Sequence, residues 1–75
     1  RAVAEAKKNK RLAGSVMTTL HLLYEGKDID TIARERRMTR NRIAEHIAEL
    51  LQNGIIHNSE LTADDRDLVE EILGV

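Results

Sequence analysis

Residues 34 to 42 read RERRMTRNR, and five of these nine positions are arginine: Arg34, Arg36, Arg37, Arg40 and Arg42. Guanidinium groups at that density can pair with phosphates, and they can fork onto the acceptor edge of a guanine. Asn41 among them carries an amide able to make a two-pronged contact to adenine. A helix beginning near residue 40 would favour acidic side chains in its first turn, where the helix dipole is positive. Arg40 and Arg42 run against that preference, so something other than helix stability selects them, and a phosphate or a base edge meets the requirement. A solvated basic face is the plainer reading. Glu45 and Glu49 lie further along the same surface, repel phosphate and limit how deeply the helix can enter a groove. The candidate DNA-facing set is therefore Arg37, Thr39, Arg40, Asn41, Arg42 and Glu45. Arg36 has an alternative at home, folding over the domain's own carboxylates at Asp28 or Asp30.

Other chemistries find little to work with. His21, His46 and His57 fall on three separate segments without paired ligand spacing, and the chain has no cysteine, so no metal site is expected. His46 reads instead as a partly buried histidine at a helix junction, bonded to a backbone carbonyl. Ser15 and Ser59 have the look of caps or turns, no glycine-rich phosphate loop is present, and no catalytic constellation emerges. These residues are expected to be non-catalytic and to need no cofactor. Tyr24 is the one aromatic side chain, which disfavours single-strand binding by base stacking.

The arginines need elements to hold them, and the apolar spacing supplies these. Val16, Leu20, Leu23 and Tyr24 recur at helical steps, with Ser15 placed to cap and Gly26 to end a helix near 16–25. Asp28 caps a short helix at 29–36 carrying Ile29, Ile32 and Ala33. Thr39 caps a third at 40–53 with Ile43, Ile47, Leu50 and Leu51 inward, closed by Asn53-Gly54. Thr62 and Asp65 have capping-box spacing before a last helix at 63–73 with Leu68, Val69, Ile72 and Leu73 inward. IIHNSEL, between them, is a connector or one stubby strand. Residues 1–14 form a basic lead-in helix or linker with a weak face of Val3, Ala6 and Leu12, and residues 15–75 form the domain proper.

Composition agrees. A chain of 75 residues without proline, Phe or Trp is one domain with a small core, stabilised by helix packing. The fold class is all-α, a small helix-turn-helix (winged-helix-like) bundle of four to five helices, since a short positioning helix, a tight turn and a second helix follow one another at 29–53. No signal-peptide or membrane-spanning pattern is present, and a cytoplasmic setting is expected. A chain that begins at Arg1 rather than methionine reads as one module of a larger protein. Charge is divided along it: through residue 42 there are eleven Lys or Arg against five acidic residues, and from residue 43 one Arg against eight. Such a module presents one end to a polyanion and turns the other away.

A family pattern runs through the same residues. Thr18 and Thr19, Gly26, Ile32 and Ala33, Arg36, Ile43, His46 and Ile47, Leu50, and Gly54 with Ile55 resemble the C-terminal helix-turn-helix domain of bacterial RecQ-type DNA helicases, over roughly residues 15 to 73. The resemblance implies an accessory domain that binds duplex or junction DNA, and an ATP-dependent motor for DNA repair and recombination in the remainder of a parent helicase. Response-regulator DNA-binding domains and sigma factors share much of the pattern, so a transcription regulator's DNA-binding domain is the alternative. A protein-interaction or self-association module, docking through the acidic last helix, is a third reading. One departure stands out. The turn position usually held by glycine is Arg37, where a left-handed backbone would cost about 1 kcal/mol. Either the turn has another shape, or Arg37 is there for its charge.

Overall fold

The computed structural model describes residues 13–74. Four α-helices follow one another: α1 (Gly14–Tyr24), α2 (Ile29–Arg36), α3 (Arg40–Gln52) and α4 (Ala63–Leu73), with a single 3-10 turn at Asn58–Glu60 between the last two. The all-α class is as expected, and no strand occurs among the described residues, so IIHNSEL is a connector. The lead-in stripe of Val3, Ala6 and Leu12 lies outside the described residues. No helix among the described residues is long and apolar enough to cross a membrane.

The core is built on the stripes read from the spacing, with two connector residues added. Ile29, Ile32, Ala33, Ile43, Ile47, Leu50 and Val69 are buried together with Val16, Leu20, Ile56 and Leu61, and Met38, Leu51, Leu68, Ile72 and Leu73 pack partly buried against them. Helix α3 is its centre, with α1, α2 and α4 all laid against it. Four positions depart from the reading: Ile56 and Leu61, from the connector, join the core, and Tyr24 and Thr19 depart in opposite directions. Tyr24 is 62% exposed, while Thr19, one residue before Leu20, is fully buried in the slot that the α1 stripe offers.

The helix starts are capped largely as the side chains dictate. Asp28 accepts from Thr31 N–H, Thr39 from Arg42 N–H and Thr62 from Asp65 N–H. Ser15 does not cap α1. The cap position is Ala13, which offers no side-chain bond, and Ser15 lies inside the first turn. The capping box at Thr62 is also half-formed, because the Asp65 carboxylate turns away and accepts from Ile29 N–H at 3.2 Å. Two carboxylates thus serve the N-terminus of α2, Asp28 from the adjoining turn and Asp65 from α4. Burial holds the Asp65 carboxyl above its ordinary range, with the bond from Ile29 working the other way.

Three successive helices end in the same way. The N–H of Gly26, Arg37 and Gly54 reaches back three residues to the carbonyls of Leu23, Arg34 and Leu51, and the following N–H reaches back five, to Leu22, Ala33 and Leu50. This is the paired bonding of the Schellman motif, which needs a left-handed residue at its centre. Arg37 adopts that conformation at φ 57, ψ 46 and is the only non-glycine residue with positive φ among those described. The turn therefore has the usual shape, and the first of the two explanations for Arg37 falls away.

Candidate nucleic-acid interface

The α2–α3 turn is built from both sides. Met38, the residue after Arg37, donates to the Ala33 carbonyl at 2.9 Å and packs against the core, which holds the turn down. Thr39 then starts α3, whose first turn contains no acidic residue. Arg34, Arg37, Thr39, Arg40, Asn41, Arg42 and Glu45 are all exposed here. Of the six residues singled out from the sequence, Arg37, Thr39, Asn41, Arg42 and Glu45 line one open depression, together with Met38. Arg40 is the one outside it, because its guanidinium turns back along α2 to Asp30.

The arginines divide by partner. Arg42 Nη1 donates to Glu45 Oε1 at 3.3 Å, one turn along the same helix. Such exposed pairs contribute about 0.2–1 kcal/mol, little enough for a phosphate to displace. Arg36 is not part of the open surface, nor does it fold over Asp28 or Asp30. Its Nη1 donates to the Ser15 carbonyl at 2.9 Å and to Thr19 Oγ1 at 2.6 Å, and its Nη2 donates to Ser15 Oγ at 3.0 Å. The carboxylates expected to receive it are engaged elsewhere: Asp28 caps its own helix, and Asp30 meets Arg40.

Behind the turn the same contacts run into the core. Arg36 can only donate, so Thr19 Oγ1 accepts from it. The Thr19 hydroxyl hydrogen then has two acceptors in reach, the Ser15 carbonyl at 3.3 Å and His46 Nδ1 at 2.8 Å. We assign it to the shorter contact, which leaves His46 neutral with its hydrogen on Nε2. His46 is thus buried at the helix junction, as its position suggested, but its Nδ1 partner is the Thr19 hydroxyl rather than a backbone carbonyl. Burial and the nearby charges of Arg36 and Arg42 hold the imidazole below its ordinary pKa, against a weaker pull from Glu49 and Glu45. The chain Arg36–Thr19–His46 ties α2, α1 and α3 together directly beneath the basic turn. Thr19 stands in the family pattern but had no structural role read from the spacing; its signal was a hydroxyl lying between Val16 and Leu20 on the inner stripe.

The remaining histidines, His21 and His57, are exposed, and no group of three His, Asp or Glu able to hold a metal occurs among the described residues.

A positioning helix, a left-handed three-residue turn and a second helix with basic residues at its exposed start define a helix-turn-helix unit. The chain matches the family described as "Helix-turn-helix domain" over residues 15–75, most of its length, and it belongs to that family. No curated protein and no solved structure matches the chain.

Proposed function

We propose that this chain is a non-catalytic, DNA-binding accessory domain, the C-terminal helix-turn-helix domain of a RecQ-type DNA helicase, which holds duplex or junction DNA mainly through phosphates and so positions the motor. The observation that supports DNA binding most is the gathering of Arg37, Thr39, Asn41 and Arg42 around one open depression at the turn, free of carboxylates except Glu45. In this reading Arg37 and Arg42 take phosphates, and Arg34 extends the basic surface along α2. The RecQ reading rests on the residue pattern from Thr18 to Ile55, together with membership of the helix-turn-helix family. A cytoplasmic setting, with the rest of the helicase as partner, goes with it.

The test is fluorescence anisotropy of the chain on several unrelated labelled duplexes across a salt series. The expected result is weak binding of similar strength to each, falling steeply as salt rises, because phosphate contacts release counterions. A strong preference for one palindromic duplex would favour a transcription regulator instead. No binding at the lowest salt would favour a protein-interaction module.

A further inference from the structure

Asp30 and Arg40 carry an inference that rests on the DNA-binding reading and goes beyond phosphate contact. Arg40 is the first residue of α3, and Asp30 is the second residue of α2. Their ion pair therefore spans the turn and links the two helices. The ion pair brings Arg40 Nε against Asp30 Oδ1. A guanidinium is a planar fork with five fixed N–H donors, and its end-on edge lies opposite Nε, so a carboxylate drawn to the Nε side leaves that edge turned away from it. The end-on fork of Nη1 and Nη2 is then the two-donor edge that stays free. Those nitrogens have no hydrogen-bond partner among the described residues, and both side chains are more than half exposed. Arg42 is the contrast, since its own Nη1 is held by Glu45.

In a helix-turn-helix unit, the residues at the start of the second helix are the ones that meet base edges. A guanidinium fork matches the O6 and N7 acceptors of guanine in the major groove. We propose that Arg40 reads a guanine edge through its end-on fork, and that Asp30 is its positioning residue. An arginine has much rotamer freedom to lose on binding. Asp30 removes part of that freedom in advance by drawing the Arg40 side chain toward the start of α2. Simple electrostatics gives the opposite expectation for Asp30, because a carboxylate beside the DNA repels phosphate and its removal should tighten binding to every duplex.

The two expectations separate on a pair of duplexes of identical G-rich sequence, one carrying 7-deazaguanine at every guanine. That base lacks the N7 acceptor and leaves the phosphates unchanged. Anisotropy with the whole 75-residue chain at low salt should show the guanine duplex bound about five- to tenfold more tightly, the lower end of what a bidentate pair discriminates. Asp30→Asn, checked for folding by thermal melting, should bind the two duplexes alike, and so should Arg40→Ala, which has no side-chain donor to offer N7. Equal binding of the two duplexes by the unaltered chain would place Arg40 on a phosphate or nowhere and overturn the proposal. So would an Asp30→Asn variant that keeps the full preference. Failure to bind either duplex would instead overturn the DNA-binding reading itself.

Discussion

Arg37 shows most sharply where stability and binding pull apart. It sits in the left-handed slot that Gly26 and Gly54 fill at the ends of α1 and α3. A β-carbon there costs about 1–2 kcal/mol, offset in part by the roughly 0.5–1 kcal/mol of extra backbone entropy that glycine loses on folding. Arg37→Gly should therefore raise unfolding free energy by about 0.5–1 kcal/mol in urea denaturation, while flattening the salt dependence of duplex binding by about 0.9 in log–log slope. A variant that gains stability and keeps its full DNA affinity would show that the charge at this turn is idle. His46 gives a prediction in pH. Its folded pKa lies below the ordinary value near 6.5, so between the two values the unfolded chain takes up a proton that the folded chain refuses. The stability due to the neutral ring is present above about pH 6.5 and is lost as pH falls through the depressed folded pKa. Melting at pH 7.5 and pH 5 should show that loss, and His46→Gln should show less of it. Asp28, held low by the Thr31 N–H, adds stability that disappears only in stronger acid, below about pH 4, whereas Asp65, held high by burial, loses stability as pH rises through its own folded value.

At the scale of elements, what the sequence made legible was whatever depends on local spacing. The α2, α3 and α4 caps follow from Asp28, Thr39 and Thr62 standing just ahead of an apolar stripe, and the helix ends follow from Gly26 and Gly54. What it hid are the bonds between elements. Ser15 has the form of a cap, yet its hydroxyl and carbonyl receive Arg36 from α2. Asp65 has the form of a capping-box acid, yet it serves α2. Thr19 and His46 meet 27 residues apart, which no window of spacing can register. The candidate interface was legible to the same degree. The arginine cluster marks the turn, but its division into Arg36 inward, Arg40 on Asp30 and Arg42 on Glu45 depends on tertiary placement. The packing side of this picture is testable at Ile47, fully buried in α3 where the other helices converge. Ile47→Ala should cost about 2–5 kcal/mol in chemical denaturation, as large-to-small core changes do. A loss under about 0.5 kcal/mol, typical of surface changes, would mean that α3 presents a different face to the core.

For the molecule as a whole, charge is arranged along α3. Its start carries Arg40 and Arg42 beside Arg37 and Arg34, while Glu45 and Glu49 follow, and the C-terminal half lies beside α4, whose Asp64, Asp67 and Glu71 are exposed. A polyanion is attracted to one end and repelled from the other, so under the proposed function the turn meets DNA first and repulsion grows as α3 goes deeper. This arrangement favours phosphate contact at the rim of a groove over a long run of base contacts. Phosphate contact at the α2–α3 turn then carries the proposed DNA binding, and the salt dependence of duplex binding measures it. Anisotropy titrations from low to moderate salt should give a linear fall of log K with log salt for the unaltered chain. The Arg37→Ala, Arg42→Ala double variant should weaken binding to every duplex and flatten that slope by about 2, close to the 0.9 per phosphate expected for two lost contacts. A double variant with unchanged slope and affinity would contradict the claim and leave the arginines of this turn as a solvated face.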